Sequence, residues 1–293
     1  MFLQTEPIQL DAQLKTLLSA DVAQVLVTGQ RYTLPGRMIW HAWGPENAPT
    51  FVLLHGGSGS WTHWIHNIAP LVADGYRVLA IDLPGFGDSD PPVKGWDADA
   101  LVEPLHAAWQ HMRRHEHNIF MGFSFGGMTA ALWLAAYPQD AQALVLVGAP
   151  GLGLTSPKRI PLKGWRHLST EALQMQAHRH NLLSLMLHDE AKLDNLALRL
   201  HILNVVRDRM TRRRLSSTPV LVEAMPKIKC SVHVIYGEFD ALYVDLMSEV
   251  ANKFKQITPH LISWQLIQGM GHWVQYENPV AFQRALKHTL SLV

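Results

Sequence analysis

The run Gly122-Phe123-Ser124-Phe125-Gly126-Gly127 decides the reading of this chain. A short apolar run, Asn118 to Gly122, precedes it, and Phe125 to Ala136 follows as an apolar stretch of helical length. The pattern predicts a strand, a sharp turn and a helix, with Ser124 at the turn. A serine so placed has its hydroxyl lifted to the edge of a sheet. Gly122 and Gly126 supply the absence of side chains that such a turn needs, and Gly127 lets the helix pack closely. The competing reading is an ordinary glycine-rich turn with a capping serine. The strand before it and the helix after it favour a nucleophile.

Strand-like and helix-like runs alternate on both sides of the turn. Arg37 to Trp43, Phe51 to His55, Arg77 to Leu83 and Ala143 to Gly148 read as strands, and Trp61 to Ala73 and Ala98 to His115 as helices. Ser231 to Tyr236 and Leu261 to Ile267 are two further strands, followed respectively by helices at Leu246 to Phe254 and Val280 to Leu292. Such alternation is the signature of the α/β class, a mostly parallel central sheet flanked by helices. From about Leu154 to Ser217 the pattern breaks into helical segments only. The expected organisation is therefore one core in two parts, residues 1–153 and 218–293, interrupted by a helical lid insertion at 154–217. An insertion there would sit over the carboxyl ends of the strands, where open α/β sheets bind ligands.

Composition narrows the function classes. Hydrophobic residues make up 48% of the 293 residues and charged ones 17%, enough to bury a sizeable core and too apolar for a disordered chain. The net charge of +1 favours neither nucleic acid nor an anionic membrane as partner, and no apolar stretch is long enough to span a bilayer. Met1-Phe2-Leu3-Gln4-Thr5-Glu6 lacks the basic start of a secretory signal, and the single Cys230 excludes an intramolecular disulfide. The expectation is a cytoplasmic globular protein with a small-molecule substrate. The sequence is silent on oligomeric state, so a homodimer stays open.

A serine hydroxyl is a poor nucleophile and needs a base. Among 17 histidines the best placed is His272, in the glycine-flanked loop Gly269-Met270-Gly271-His272-Trp273 after the last strand. A base needs an anionic partner to fix its tautomer. Asp240, closing Tyr236-Gly237-Glu238-Phe239-Asp240 after a strand, is favoured over Glu238. The order Ser124, Asp240, His272 is that of α/β-hydrolases. A tetrahedral intermediate also needs hydrogen-bond donors. His55-Gly56-Gly57-Ser58-Gly59 follows an early strand, and the backbone N–H groups of Gly57 and Phe125 are the expected oxyanion donors, with Ser58 a further candidate.

These four segments together resemble the α/β-hydrolase superfamily across nearly the whole chain outside the insertion. Asp82-Leu83-Pro84-Gly85-Phe86-Gly87-Asp88-Ser89 resembles its D-x-P-G-x-G-x-S loop. Gly271-His272-Trp273-Val274-Gln275 is similar to the meta-cleavage-product (C–C bond) hydrolases and their epoxide-hydrolase-like relatives, which carry a helical lid at the equivalent place. Epoxide hydrolases use an aspartate nucleophile, whereas this chain has Ser124. The resemblance implies an acyl-enzyme mechanism without cofactor or metal, on a carboxylic ester or a vinylogous diketone. Two positions depart from the C–C hydrolases: Phe123 and His63 stand where that family often has asparagine near the substrate.

Substrate contacts are expected from Ser58, His63, Phe123 and Trp273, and Arg207 is a candidate as well. If Asn195 to Arg214 is one helix, Leu196, Leu200, Leu203 and Met210 form an apolar stripe with Arg207 in its middle. The resemblance implies a lid arginine for a substrate carboxylate; a salt bridge or an exposed tip is the competing reading of Arg207. Arg212-Arg213-Arg214 reads as a solvated helix end. His111, His115 and His117 lack a carboxylate-rich shell, so they read as an exposed helix end rather than a metal site. Two rival functions remain: a ligand-binding receptor on the same fold, and a lyase using the same residues.

Overall fold

The computed structural model describes residues 4–154 and 159–291. Met1 to Leu3, residues 155–158, Leu292 and Val293 lie outside the described residues. Among the described residues nine strands form one sheet: β1 (Gln4–Pro7), β2 (Gln30–Leu34), β3 (Met38–Trp43), β4 (Thr50–Leu54), β5 (Arg77–Asp82), β6 (Asn118–Phe123), β7 (Ala143–Val147), β8 (Ser231–Gly237) and β9 (Leu261–Ile267). Their spatial order is β1-β2-β3-β5-β4-β6-β7-β8-β9. The six strands from β5 to β9 in that order run parallel, and β1, β2 and β3 add antiparallel pairs at one edge.

The central strands are apolar on both faces because both faces are covered. In β4, Val52 and Leu54 enter one core and Phe51 and Leu53 the other. The same two-residue period sends Leu144 and Leu146 of β7 to the first face and Val145 and Val147 to the second. Helices Val102–Met112, Phe125–Ala136 and Met247–Ile257 cover the first face through residues such as Trp109, Trp133 and Phe254. Helices Ile68–Ala73 and Pro279–Leu290 cover the second through Ile68, Leu71, Phe282 and Leu286.

The chain leaves β4 toward β5 on one side and returns to β6 on the other. The carboxyl ends of β4 and β6 therefore flank the switch point, where an open α/β sheet forms its crevice. His55 to Ser58 leave the first of these ends and Ser124 the second, with Leu54 and Gly122 paired in register.

Some expectations need correction. The segment Trp61 to Ala73 is a short 3₁₀ turn at Trp61–Trp64 followed by an α-helix at Ile68–Ala73. Buried Asp82 accepts from the Trp61 N–H at 2.9 Å, which ties the first turn to the Asp82–Ser89 loop rather than to a continuous helix. Strands β1 and β2, and the two helices between them, precede the first element read from sequence. They are short edge pieces, and β1 is exposed throughout, so no apolar alternation marks it.

Between β7 and β8 the described residues contain helices and no strand. The helix expected over Asn195 to Arg214 ends at Val205. Beyond it the Asp208 side chain accepts from the Met210 N–H at 2.8 Å, and the Arg209 N–H donates to Gly85 O at 2.9 Å. Side-chain and long-range acceptors thus replace the helical ones. Met210 then packs against Gly85, far from the stripe it was expected to share with Leu200.

The turn at Ser124 tolerates no added side chain nearby. A methyl group on Gly126 would lie 2.3 Å from Leu54 O and 2.4 Å from His55 O, both backbone atoms. Gly126→Ala is expected to lower the unfolding free energy by about 1–3 kcal/mol in urea titrations, the usual range for overpacking. An unchanged denaturation midpoint would refute this close approach.

Candidate active site

Ser124 follows β6 with φ 51° and ψ −118°, a conformation that side chains rarely adopt. Its N–H donates to Val147 O at 2.7 Å, and its carbonyl accepts from the Gly127 and Met128 N–H groups. The hydroxyl is thereby aimed away from the sheet. His272 lies on the loop after β9, with Nε2 2.9 Å from Ser124 Oγ. Its Nδ1 is 2.8 Å from Oδ2 of Asp240, on the loop after β8. Asp240 is fully buried, and its other oxygen accepts from the Leu242 N–H at 3.0 Å. With Asp240 a carboxylate, the imidazole carries its proton on Nδ1 and Nε2 can accept from the serine. Glu238 is engaged elsewhere, accepting from the Gly269 N–H at 2.8 Å.

The Gly56–Ser58 turn faces this line. Its conformation is held by two histidines of opposite tautomer. Burial pushes His55 down to about 4, so the ring is neutral; Nδ1–H donates to Gly56 O at 2.7 Å and Nε2 accepts from the Leu83 N–H at 3.0 Å. His63 is held well below the usual histidine range by burial and then by neighbouring histidines, and its Nδ1 accepts from the Gly56 N–H at 3.2 Å. Its proton therefore sits on Nε2, and the ring lines a cavity next to the turn. The Gly57 and Phe125 N–H groups donate to no acceptor among the described residues. Two free amides beside a hydrogen-bonded Ser–His pair are what an oxyanion site requires.

A cavity of about 400 Å³ contains Ser124 and His272 and is walled by Phe123, Leu162, Met186, Leu242 and Tyr243. A second cavity of about 550 Å³ shares Gly57, Ser58, Leu162, Leu185 and Met186 with it and carries the polar groups of His63, Asn181 and His201. Both compartments are mixed: Ser58, Arg213, Ser216 and Ser217 bring polar groups to the first as well, and Ser124 lies in the first and close to the second.

Of the residues expected to touch substrate, Ser58, His63 and Phe123 line these cavities. Two do not. Trp273 is buried behind the site, where its Nε1–H donates to His63 O at 3.0 Å and its ring stacks on Tyr276. Arg207 lies in a different cavity, paired with Asp88 at 3.0 Å and donating to Leu203 O at 2.9 Å. The ion-pair reading of Arg207 is the one the geometry supports, because the helix that would have aimed it inward ends two residues earlier. Arg213, read as a solvated end, instead enters the wall of the Ser124 cavity. His115 Nδ1 accepts from the His117 N–H at 2.9 Å, and among the described residues no group of three or more His, Cys, Asp or Glu side chains is placed to hold a metal ion.

Two carboxylates were not singled out from sequence. Glu277 is buried and accepts from the His188, Asp189 and Gly271 N–H groups, at 2.7, 2.7 and 2.5 Å. It thereby joins the His272 loop to the insertion. Asp208 holds Arg213 at 2.9 Å. Neither stands in a motif; each is recognisable only once distant segments meet.

The chain belongs to the α/β-hydrolase superfamily and is an enzyme of the α/β-hydrolase fold. Within it, the chain falls in the subgroup of meta-cleavage-product C–C hydrolases and their lidded relatives. The family described as alpha/beta hydrolase fold matches residues 49–181. A 2-hydroxy-6-oxononadienedioate/2-hydroxy-6-oxononatrienedioate hydrolase of Cupriavidus pinatubonensis is 30% identical over 81% of this chain and 85% of its own. The Escherichia coli hydrolase of the same name is 27% identical over 83% of this chain and 87% of its own. Carboxylesterase CesB of Bacillus subtilis superposes with a TM-score of 0.72 at 18% identity, covering 96% of this chain and 95% of its own, a likeness of fold. Among the described residues no helix is long and apolar enough to cross a membrane.

Two outcomes follow from these contacts. Glu277→Gln places an amide N–H₂ against backbone donors, so the unfolding free energy should drop by about 1–3 kcal/mol; a change below roughly 0.5 kcal/mol would be ordinary surface behaviour. Buried neutral histidines contribute to the acid limb of stability. Burial holds His41 to about 3 and His55 to about 4 in the folded chain, against 6.5 when exposed. The unfolded chain therefore binds more protons at these two groups between these values, and their contribution to stability is full above pH 6.5 and lost as pH falls through about 4. Urea midpoints measured across that window should fall steadily, and His55→Gln should reduce the slope; a flat profile would contradict the neutral assignment.

Proposed function

We propose that the protein is a serine hydrolase in which Ser124 is the nucleophile, His272 the base and Asp240 its orienting carboxylate. The observation that carries this reading is the line Asp240 Oδ2, His272 Nδ1, His272 Nε2, Ser124 Oγ, with gaps of 2.8 and 2.9 Å, beside two unused amides. Ser124 Oγ attacks an electrophilic carbonyl and its proton passes to His272 Nε2. The oxyanion takes hydrogen bonds from the Gly57 and Phe125 N–H groups. Collapse breaks the bond to the leaving group, which receives the proton from His272, and an acyl-enzyme remains. Water, deprotonated by the same imidazole, attacks that acyl group and releases the acid and the free serine.

The substrate class is a small to medium carboxylic ester or a vinylogous diketone cleaved at a C–C bond. The names of the sequence relatives support the diketone. In this reading the insertion is a lid, and His63 Nε2–H offers a neutral donor to a substrate oxygen.

The test is labelling with a fluorophosphonate, followed by turnover of p-nitrophenyl esters of graded acyl length and of dienoate diketones. Wild type should label and Ser124→Ala should not, with kcat lowered by about 10³-fold or more in the variant. Equal labelling of the two would remove Ser124 from the mechanism. Labelling without turnover of any substrate would favour a receptor, and a product lacking the elements of water would favour a lyase.

A further inference from the structure

A charged pair from the insertion sits on the turn that carries one of the proposed oxyanion donors. Ser58 adopts φ 52°, a left-handed conformation that costs a side-chain-bearing residue about 1–3 kcal/mol unless its surroundings enforce it. What surrounds it is the segment that follows the helix Asn195–Val205. Ser58 Oγ donates to Asp208 Oδ2 at 2.5 Å, and Arg213 Nη2 donates to Ser58 Oγ at 3.3 Å. Asp208 and Arg213 are locked to each other: Nη1 reaches both carboxylate oxygens, at 2.9 and 3.1 Å, and Nη2 reaches Oδ2 at 3.1 Å.

The same guanidinium also packs over the side chain of the residue that carries the other donor. Its carbon lies 5.4 Å from the centroid of the Phe125 ring and 4.9 Å from that of Phe86. A methyl group built on Gly57 would meet Arg213 Nη2 at 3.4 Å. One planar cation therefore touches the Gly57–Ser58 turn and Phe125 together. The pair is mostly shielded from solvent, with Arg213 20% and Asp208 10% exposed, so it is not a loose surface contact. Its segment is also anchored to the core by the Arg209 N–H on Gly85 O at 2.9 Å and by Met210 packed at Gly85.

We propose that Asp208 and Arg213 are positioning residues for the oxyanion site: the insertion clamps the Ser58 turn so that the Gly57 N–H and the Phe125 N–H converge on one point. The proposal rests on the serine-hydrolase reading. Asp208 balances the Arg213 charge, so the contribution is geometric, and it makes seating of the insertion and assembly of the oxyanion site one event. A donor displaced by about 1 Å can cost 10²-fold in rate.

The experiment compares wild type, Arg213→Gln, Arg213→Lys, Ser58→Ala and the double variant Ser58→Ala/Arg213→Gln on the best substrate of the panel. Each is also titrated with a trifluoromethyl ketone, which forms a tetrahedral adduct on a reactive serine. Arg213→Gln and Ser58→Ala should each lose about 10–100-fold in kcat with KM changed less than about threefold, and adduct affinity should fall in parallel with kcat. Arg213→Lys should recover little, because lysine lacks the planar fork. The double variant should lose no more than the worse single, since both break one clamp. If Arg213→Gln does not fold, Ser58→Ala, a change on the core side, carries the same expectation alone. A kcat within about twofold of wild type for the folded single variants overturns the clamp, as does a loss confined to KM, which would make Arg213 a substrate contact. A wild type that neither turns over substrate nor forms the adduct overturns the hydrolase reading, and the clamp with it.

Discussion

The constraint on which the rest depends is the close approach of backbone to backbone where β6 meets its helix. Ser124 takes a conformation that side chains avoid, and Gly126 lies against the carbonyls of Leu54 and His55 with no room for a methyl group. This contact sets the helix Phe125–Ala136 tightly on the sheet and brings the end of β6 beside the end of β4. Because the strand order reverses between these two strands, the crevice opens at the serine. The strain at one residue is sustained by the ladder of buried strands on each side of it.

Apart from the two amides aimed at the proposed oxyanion, several polar side chains around that point find partners that also fix position. Neutral His55 and His63 grip opposite sides of Gly56, one through its carbonyl and one through its N–H. Glu277 gathers three backbone donors from the His272 loop and the insertion. Asp208 and Arg213 connect the insertion to Ser58. An unsatisfied buried donor costs about as much as the whole net gain of several hydrogen bonds, so such networks settle into one arrangement. The insertion is consequently joined to the core at the turns that flank Ser124 and His272, the places where a shift of an ångström would matter most to the proposed chemistry.

Within the superfamily, the substrate is set by what lines the cavities and not by the turn that carries the serine. Phe123 and His63 stand at the two positions where the resemblance to the C–C hydrolases implies asparagine. The two are in contact, with ring centroids 5.6 Å apart, and His63 also packs against Trp273. The wall next to Ser124 is thereby aromatic, while His63 retains one neutral donor at the cavity.

The sequence by itself determined the sheet's parallel core, the strand–turn–helix at Ser124 and the order of the three proposed catalytic residues. Those are local properties: a two-residue apolar period, glycines where a turn must be bare, and loops that begin where strands end. It could not place Arg207 or Arg213, because the helix of the insertion ends at Val205 for reasons supplied by Gly85 and Asp208, distant partners that compete for its backbone. Nor could it reveal Glu277 or the opposite tautomers of His55 and His63, which exist only when separate segments bury them together. Trp273 shows the same limit, since its neighbour His272 faces the cavity while its own ring faces His63. Side-chain direction on a loop is decided by packing, and packing belongs to the tertiary structure.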